Sequence, residues 1–564
     1  MTAKNQSIEA ATPRKMPFQK YKAFQPVALP DRTWPDQVIS HAPRWCSVDL
    51  RDGNQALIEP MTPDEKLKMY LLLLELGFKE IEVGFPAASQ TDFDFVRLII
   101  EQDMIPEGVI IQVLCQAREE LIIRTCEAVK GARQVIFHLY NSTSTLQRKV
   151  VFNMSREQVV QLATDATAMV KAHTDVLQAE GTDVILEYSP ESYTATEMDF
   201  AVEICDAVMN VWQPTVAKKM ILNLPSTVEM ATPNIYADQL EWFIRHLPQR
   251  DKAVISLHTH NDRGTGVAAS ELGLMAGADR IEGTLFGNGE RTGNCDLITM
   301  AMNMFSQGVD PELYLSDMPK IVAVSEECTK IPIHVRQPYA GELVFTAFSG
   351  SHQDAIRKGM ARGESAGVWE VPYLPIDPTD VGGSYRETVR VNSQSGKGGV
   401  AFILESYFGV SLPRPLLLEF SPVIQKLSEG GGELKPDTIW DAFVNEFVEV
   451  EGPYRLIDYK VVANGERQVC EARIKVGENE IDIRGEGNGP IDAFIAAMVE
   501  TLNEPLNVID YQEYALNEGS QAQAICIIAI TDEADSKFYG VGLSQNTITA
   551  AFGSIIAAIN RKWR

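Results

Sequence analysis

Short apolar, β-branched segments alternate with longer amphipathic segments between Trp45 and about residue 300. This alternation is typical of parallel strands covered by helices. The predicted strands are WCSVDL, EIEVGF, VIIQVLC, QVIFHLY, DVILEYS, KMILNLP, AVISLHTH and RIEGTLFG, separated by helical segments such as TPDEKLKMYLLLLELG and SREQVVQLATDATAMVKAHTDVLQAEG. Eight strands, each followed by a helix, predict a closed (β/α)8 TIM barrel.

Most of these strands end in a side chain that can do chemistry. The residues at or just after strand ends are Asp52, His138, Glu187, Thr227, His258, His260 and Asn294. The carboxyl ends of the strands of a TIM barrel converge on one rim, where the active site lies. We therefore expect these residues, although distant in sequence, to be neighbours.

The remainder of the chain predicts a linker region and a second domain. MPKIVAVSEECTKI is helical in pattern, and the Gly/Pro-rich segment RKGMARGESAGVWEVPYLPIDPTDVGGSY should be loop-rich. After a second break, SEGGGELKP, come strand-like segments (YRLIDYKVV, QVCEARIKV, AQAICIIAI) and two helices, near GNGPIDAFIAAM and SQNTITAAFGSIIAAIN, which suggest an internal duplication. We predict an N-terminal arm (1–40), the barrel (41–315), linker subdomains (316–435) and an α+β domain (436–564).

Charge and composition narrow the possible partners. The formal net charge of −27 disfavours nucleic acid as a partner, because such binding depends on clustered Lys and Arg. The eight cysteines are scattered without a C-x-x-C pair, as expected for reduced core thiols. The chain has no apolar run of about 18 residues and no apolar stretch near its N-terminus, so we expect a cytoplasmic protein without a membrane partner.

His258-Thr259-His260 predicts a metal site at the end of the seventh strand. The period of two in a strand directs both imidazoles to one face, and Asp52 would add an oxygen ligand. An isolated H-x-H more often marks two surface histidines, but its position at a barrel strand end, followed by Asn261-Asp262-Arg263-Gly264, favours the metal. We expect a divalent ion, Mg²⁺ with Zn²⁺ or Mn²⁺ as alternatives.

Three further features have both a structural and a chemical interpretation. Arg51 could stabilise a developing oxyanion or form a structural ion pair. Glu187 could be an acid/base group or a buried hydrogen-bonding hub. The loop GNGERTGN (287–294) could bind the phosphate-rich tail of a cofactor through backbone N–H groups, although its glycines taken alone favour a plain tight connection.

Together these motifs resemble the family of 2-isopropylmalate, homocitrate and citramalate synthases. Its first signature, L-R-D-G-x-Q followed eleven residues later by Lys, reads Leu50 to Gln55 with Lys66. Its second, H-x-H-[DN]-D-x-G-x-[GAS], reads His258 to Gly266. RDGNQALIEPM, NLPSTVEMATPN, FSGSHQDAI and VNSQSGKGGVA are similar to segments of the longer-linker 2-isopropylmalate synthases. One departure is Cys295, where we expect alanine.

The resemblance implies condensation of acetyl-CoA with 3-methyl-2-oxobutanoate to give 2-isopropylmalate and CoA, the committed step towards leucine. A sibling enzyme using another 2-oxoacid, a lyase of the same barrel superfamily and a non-catalytic amino-acid sensor are the alternatives.

The resemblance also assigns residues. The implied metal ligands are Asp52, His258 and His260, with Asn294 completing or supporting them. The implied catalytic residues are Arg51, Glu187, His352 and Tyr385, the last two supplied by the neighbouring subunit of a homodimer. The implied substrate contacts are His138, Thr227, Gly287, Asn288 and Gly289. The last domain would sense leucine through Asn488, Gly489, Asp492 and Tyr511.

Overall fold

A computed structural model of the chain describes residues 16–362, 367–385, 397–428, 434–517, 519, 522–532 and 536–564. The first fifteen residues of the expected arm, most of VNSQSGKGG and the glycines of SEGGGELKP lie outside the described residues. The chain divides into two compact units, Met1–Gly341 and Glu342–Arg564. Among the described helices, none is both long enough and apolar enough to cross a membrane.

The first unit is a closed barrel of parallel strands in chain order, which confirms the predicted TIM barrel. Its strands are β1 (Arg44–Ser47), β2 (Glu80–Gly84), β3 (Ile110–Gln116), β4 (Gln134–Ser142), β5 (Asp183–Glu191), β6 (Met220–Ser226), β7 (Ala253–Thr259) and β8 (Arg280–Gly283). The barrel closes because β1 pairs in parallel with β8 as well as with β2. Both faces of most strands are buried, which explains their nearly continuous apolar sequences.

The helices of the first unit cover this barrel. They are α1 (Pro63–Glu75), α2 (Gln90–Glu101), α3 (Glu119–Val129), the single turn α4 (Thr145–Gln147), α5 (Arg156–Ala179), α6 (Met198–Trp212), α7 (Pro233–His246), α8 (Gly266–Met275), α9 (Leu297–Phe305) and α10 (Met318–Thr329). Thr62 with Glu65 and Ser155 with Gln158 form capping boxes that fix where α1 and α5 begin. α10 confirms the helix expected from MPKIVAVSEECTKI.

The first and last strands are shorter than the sequence predicts. β1 ends at Ser47, and Asp49–Gly53 form a π-helical turn in which the N–H of Gly53 donates to the carbonyl of Val48. After β8 the chain likewise enters a short 3₁₀ turn, Leu285–Gly287. Both oxygens of Asp49 accept the N–H of Leu285, so the two turns hold one another in place. Asp52 therefore projects from a turn and not from a strand, as is frequent for π-type turns at functional sites.

The described part of the N-terminal arm packs on the barrel. The N–H and hydroxyl of Thr33 donate to Glu241 on α7, and the indole N–H of Trp34 donates to Asp238 at 2.8 Å. These contacts fix the arm next to a helix that follows β6.

In the described part of the second unit, four α-helices precede two repeats of three strands and a helix. Its helices and strands are α11 (Gly350–Arg362), α12 (Lys397–Phe408), α13 (Arg414–Ser428), α14 (Pro436–Phe443), β9 (Tyr454–Asn464), β10 (Arg467–Val476), β11 (Asn479–Gly487), α15 (Pro490–Leu502), β12 (Asn507–Ala515), β13 (Ala524–Thr531), β14 (Lys537–Ser544) and α16 (Thr547–Lys562). α11 includes the RKGMAR segment, so the prediction of a loop there was wrong. β11 and β12 were missed because most of their residues are exposed, and β14 was missed because two glycines interrupt its apolar sequence.

The two repeats share a packing device, which supports the expected duplication. The last strand of each repeat carries a G-x-G pair, Gly485 with Gly487 and Gly540 with Gly542, against which the following helix packs. A Cβ at Gly485 would lie 2.3 Å from a carbonyl of α15, and one at Gly540 would lie 2.1 Å from a carbonyl of α16. The phenylalanine that follows each pair, Phe494 or Phe552, stacks on its counterpart with ring centroids 4.2 Å apart.

The repeats differ in what covers the other face of each sheet. β13 is buried along its whole length, because helices α12, α13 and α14 form an apolar core with Ile525, Ile527 and Ala529. β10 alternates between buried and exposed residues, and its outer face carries Glu471 and Arg473. Because β13 is covered on both faces, its sequence AICIIAI is apolar without interruption.

Candidate active site

A cavity of about 170 Å³ lies at the carboxyl ends of the barrel strands. It is lined by Arg51, Asp52, Gln55, Leu114, His138, Tyr140, Ser189, Glu191, Asn223, Pro225, Thr227, His258, His260, Glu290 and Arg291. The structure therefore brings Arg51, Asp52, His138, Thr227 and both histidines of the H-x-H motif to one place, as the barrel rule predicts.

Asp52, His258 and His260 converge as a candidate metal-binding triad, called the metal triad below. The Oδ2 atom of Asp52 lies 3.4 Å from Nε2 of His258 and 4.0 Å from Nε2 of His260. Two donors that each lie about 2.1 Å from one ion are separated by roughly 3.0–3.4 Å at ordinary coordination angles. Thr259 faces the opposite side, where its hydroxyl contacts Ser270 at 2.8 Å, so the strand alternation directs both imidazoles to the cavity.

The buried donor atoms at this point fit a cation. Oδ2 of Asp52 is buried and has no hydrogen-bond partner, and the same is true of Oδ1 of Asn294 and Nδ1 of His260. A buried polar atom without a partner is costly, whereas a cation would satisfy the anionic oxygen. The buried Asp/His cluster therefore suggests a divalent metal.

Asn294 is held next to the triad by the loop GNGERTGN. Its backbone pairs with that of His260, and its side-chain amide donates to the carbonyl of Asn288 at 3.0 Å. The glycines of this loop serve close packing: a Cβ at Gly289 would lie 2.2 Å from the Asn294 amide, and one at Gly293 would lie 2.0 Å from the carbonyl of Gly287. Of this loop, Glu290 and Arg291 line the cavity, whereas Gly287, Asn288 and Gly289 do not.

Arg51 links the metal triad to the barrel interior. Its Nη1 donates to Oδ1 of Asp52 at 2.6 Å, and its Nε donates to Glu82. Burial would raise the pKa of Asp52, but the Arg51 guanidinium and the nearby His258 hold that pKa well below its usual range. Asp52 is therefore anionic, with Oδ1 paired to Arg51 and Oδ2 directed at the triad.

His258 is oriented from behind by Glu282. Its Nδ1 lies 2.8 Å from Oε2 of Glu282, directly across the β7–β8 pair. A carboxylate behind an imidazole fixes the ring and its tautomer so that the other nitrogen can bind a metal.

Burial, followed by the proximity of His258, lowers the pKa of His260 to about 4, so His260 is neutral at pH 7 as a ligand must be.

Glu187 is fully buried and lies outside the cavity lining, next to His138. Oε1 of Glu187 is 3.5 Å from Nε2 of His138, and its Oε2 is 3.4 Å from Arg280. Burial raises the pKa of Glu187 well above its usual value; Arg280 opposes this shift, and the neighbouring Glu282 adds to it. Burial thus favours the protonated form of Glu187, and its neighbour His138 is a residue that lines the cavity.

A polar network inside the barrel supports these groups. Sequence reasoning missed its members, Glu80, Glu82, Gln112, Ser189, Asn223, Arg280 and Glu282, which are all buried. Arg280 lies at its centre and donates to Gln112 at 2.7 Å and to Glu282 at 2.8 Å. The available signal was an ionisable or amide residue in the middle of an apolar strand, such as the glutamates of EIE and RIEG.

His352 and Tyr385 lie in the second unit. The ring of His352, on α11, stacks on Tyr373 with centroids 3.9 Å apart. The hydroxyl of Tyr385 donates to Asp377 at 2.7 Å. Their assignment to the active site stays a prediction.

The expected regulatory residues lie in the first of the two repeats and at the start of the second. Asn488, Gly489 and Asp492 form the turn that opens α15, where the N–H of Asn488 donates to Asp492 at 2.8 Å. Tyr511 lies on the edge strand β12, where its hydroxyl donates to Glu513.

All eight cysteines are buried and unpaired, as expected for core thiols. Cys295 lies behind the metal triad and accepts a hydrogen bond from the Ser270 hydroxyl at 3.3 Å.

Three family models match successive parts of the chain. Residues 42–324 match "HMGL-like", residues 342–405 match "Alpha-isopropylmalate synthase, post-catalytic domain-like", and residues 433–563 match "LeuA allosteric (dimerisation) domain". The order of these matches follows the barrel, the helical segment and the paired repeats described above.

Curated relatives match over nearly the whole chain. The chain is 53% identical to a 2-isopropylmalate synthase of Parafrankia sp. over 99% of this chain and 100% of that protein. It is 54% identical to a 2-isopropylmalate synthase of Rhodospirillum rubrum over 96% of this chain and 98% of that protein. Among solved structures, an HMG-CoA lyase of Bacillus subtilis aligns with a TM-score of 0.42 and 18% identity, over 52% of this chain and 96% of that chain. The chain belongs to the 2-isopropylmalate synthase family.

Proposed function

We propose that this enzyme condenses acetyl-CoA with 3-methyl-2-oxobutanoate and water to give 2-isopropylmalate and CoA. The new bond joins the acetyl methyl carbon to the keto carbon of the 2-oxoacid, and water cleaves the thioester C–S bond. The observation that carries the proposal is the convergence of Asp52, His258 and His260 at a rim cavity, in a chain about half identical to proteins named for this activity.

In this proposal Asp52, His258 and His260 hold the metal, with Asn294 completing or supporting the set. Mg²⁺ is the proposed ion, and Zn²⁺ and Mn²⁺ are alternatives that the same ligands accept. When bound, the ion polarises the keto and carboxylate oxygens of the 2-oxoacid and makes the keto carbon electrophilic. Thr227 orients the substrate carboxylate: its hydroxyl accepts the N–H of Ser192 at 2.9 Å, which leaves the O–H free to donate into the cavity.

Arg51 stabilises the negative charge that develops on oxygen as the carbon–carbon bond forms. Its side chain is about nine-tenths buried, and its guanidinium is fixed between Asp52 and Glu82 before substrate arrives. A donor that is already oriented in a site screened from water stabilises a developing oxyanion more strongly than a mobile surface cation does.

Glu187 and His352 form the proposed acid/base system that moves the methyl proton. Glu187 is a buried acid next to His138, whose ring lines the cavity, so a proton can pass between the interior and the substrate along this pair. His352 and Tyr385 complete the site from the neighbouring subunit of a homodimer. The loop that contains Gly287, Asn288 and Gly289, next to the cavity-lining Glu290 and Arg291, is the proposed place for the CoA tail.

Leucine is the proposed effector of the C-terminal repeats. The match of residues 433–563 to an allosteric, dimerisation domain supports both this assignment and the homodimer. Asn488, Gly489, Asp492 and Tyr511 are the proposed contacts. Feedback requires that leucine bind one conformational state of the enzyme more tightly than another.

A thiol-release assay tests the reaction and its specificity. Acetyl-CoA is offered with 3-methyl-2-oxobutanoate, pyruvate or 2-oxoglutarate, and we expect the highest kcat/KM with 3-methyl-2-oxobutanoate. One or two methylenes discriminate substrates by only about 1–3 kcal/mol, so all three must be compared at subsaturating concentration. Preference for pyruvate or 2-oxoglutarate would replace this proposal by citramalate or homocitrate synthesis.

The same assay tests the metal site. We expect His260→Ala to lose both bound metal and turnover, whereas His41→Ala, which changes an exposed imidazole just after the arm, keeps both. Full activity in a metal-free His260→Ala variant would show that the ligand assignment is wrong.

A further inference from the structure

A lysine of α1 is buried together with an aspartate of α2, outside the lining of the catalytic cavity. Lys66 has no exposed surface, and its ammonium forms an ion pair with Oδ1 of Asp92. The ammonium also lies 5.3 Å from the centroid of the Phe95 ring. Desolvation offsets much of the attraction within a buried ion pair, so a gain in stability is a weak explanation for this pair. Its contacts with the backbone of β2 give a better one.

The ion pair binds the backbone on both sides of Gly84, at the end of β2. The ammonium of Lys66 donates to the carbonyl of Val83 at 3.5 Å, and Oδ2 of Asp92 accepts the N–H of Phe85 at 2.8 Å. A Cβ at Gly84 would lie 2.9 Å from Cγ of Asp92, so the carboxylate packs directly against the strand. The pair thus holds the chain immediately before and immediately after this glycine.

The sheet itself holds this end of β2 only partly. The pairing of β2 with β1 ends at Ile81. The pairing of β2 with β3 shifts its register between Glu82 and Gly84, so Val83 has no partner residue on β3. A shift of this kind leaves the extra residue unpaired and disrupts the ladder of hydrogen bonds locally. The ion pair supplies hydrogen bonds at the point where the ladder is disrupted.

Glu82, which lies next to this point, orients two groups of the catalytic cavity. Its Oε2 accepts Nε of Arg51, and its Oε1 lies 2.8 Å from Nδ1 of His138. Successive side chains of a strand point to opposite faces, so Glu82 faces the barrel interior while Val83 faces the helices. A movement of the strand end would therefore move Glu82 and, with it, the guanidinium of Arg51.

We infer that Lys66 and Asp92 are positioning residues for the proposed condensation. The ion pair fixes the end of β2 from the helix layer, and Glu82 on that strand then holds Arg51 where negative charge develops on oxygen. The inference rests on the role proposed for Arg51 and adds the contacts that set its position. A displacement of about 1 Å can lower a rate roughly 100-fold, so a small movement of the strand end is sufficient.

Two variants disturb the ion pair in different ways. Lys66→Met/Asp92→Asn removes both charges together, so neither charge is left buried without its partner. Gly84→Ala keeps both charges but displaces the Asp92 carboxylate, because the added Cβ would lie 2.9 Å from its Cγ. An effect that both variants share would come from the position of the strand end and not from a change in charge.

A second buried ion pair offers the matched control, Arg148→Met/Glu197→Gln. Arg148 is 7% exposed, and its Nη2 donates to both oxygens of Glu197 at 2.6 and 2.8 Å. Its guanidinium lies over the ring of Phe200, 4.6 Å from the centroid. Among the described residues, this pair contacts none that the proposed mechanism uses. The control should keep wild-type turnover, and thermal unfolding shows how much stability each variant loses.

In the thiol-release assay, we expect kcat and kcat/KM for the 2-oxoacid to fall together by roughly ten-fold in both test variants. Both parameters should fall because Arg51 stabilises charge that develops only in the transition state. Wild-type kcat in the test variants, or a change in KM alone, would overturn the inference.

A double-mutant cycle then asks whether the loss passes through Glu82. Glu82→Gln should lower kcat by itself. Adding Lys66→Met/Asp92→Asn to Glu82→Gln should cause little further loss, because changes within one connected set of contacts are not additive. Losses that multiply would show that the ion pair acts on turnover by another route, and the inference would fail.

Wild-type turnover decides the proposed function before any variant is compared. If the wild type releases no thiol with any 2-oxoacid, the proposed function fails, and hydrogen exchange of the Phe85 amide still tests the hold on β2. This amide should exchange roughly ten-fold faster in Gly84→Ala than in the wild type or the control, because its acceptor has moved. Equal exchange in all three proteins would show that the ion pair does not hold the strand end.

Discussion

Replacing Glu282 by glutamine should weaken metal binding without touching a ligand. The Glu282 carboxylate accepts from His258 at 2.8 Å, Arg280 at 2.8 Å, Gln112 at 2.9 Å and Asn223 at 3.1 Å. All four neighbours donate hydrogen bonds to the Glu282 carboxylate. Glutamine would replace one carboxylate oxygen by an amide NH₂ group, and that group would face one of these donors. His258 would lose the anion that fixes its tautomer, and loss of such a partner typically lowers metal affinity 10–100-fold, or about 1.4–2.7 kcal/mol.

The same substitution should also reduce stability, and a control separates the two effects. Arg280 is fully buried and would lose one of its anionic partners, which costs about 3 kcal/mol. Glu80→Gln removes another carboxylate from Arg280 but contacts no proposed metal ligand, since Glu80 pairs with Arg280 and with Arg44. We therefore expect both variants to unfold at a lower temperature and only Glu282→Gln to bind metal more weakly.

Metal affinity is measured by competition with a chelator, and stability by thermal unfolding of the metal-loaded and metal-free proteins. The reasoning predicts a shift in the chelator titration for Glu282→Gln and none for Glu80→Gln. Equal metal affinities in the two variants would refute the view that Glu282 orients His258 for metal binding.

Three further outcomes are expected. Asp492→Ala should raise the leucine concentration needed for half-inhibition without lowering turnover, because it removes the carboxylate that holds the turn before α15. Glu478→Ala, at an exposed strand connection, should leave inhibition unchanged. If Glu478→Ala weakened inhibition and Asp492→Ala did not, the effector site would lie elsewhere. In thermal unfolding, Gly540→Ala should destabilise the second unit by more than about 2 kcal/mol, because the added Cβ would overlap a helix carbonyl. Gly553→Ala should be neutral or slightly stabilising, because its added Cβ makes only an ordinary contact at 3.8 Å. A thiol reagent at pH 8 should find no reactive cysteine in the native protein and all eight after denaturation, since burial raises the pKa of thiols such as Cys295 to about 12; fast native reaction would contradict this burial.

The barrel and the convergence of Asp52, His258 and His260 could be predicted from sequence because both follow from periodicity. Apolar strands at regular intervals indicate the barrel, and a period of two places His258 and His260 on one face. Asp52 joined them because the carboxyl ends of all strands meet at one rim. No pairing register was needed for either inference.

The buried groups that orient the triad and its neighbours could not be predicted, because their positions depend on the register between strands. His258 lies opposite Glu282 in the β7–β8 pair, and His138 lies opposite Glu187 in the β4–β5 pair. A shift of one residue in either pair would separate these groups. The π-helical turn that carries Asp52 also has no local signal, since its closure depends on Asp49 binding the turn after β8.

The helices that cover the second sheet limit where this chain can be cut and recombined. Val400, Phe420 and Phe443 share one apolar core with Ile527 and its neighbours on β13. A chimera that takes only the residues from β9 onward would carry a sheet with one bare hydrophobic face and should aggregate. Transfer of the proposed leucine control to another enzyme would require a graft that begins before Val400, so that the donor's own helices accompany the sheet that they cover.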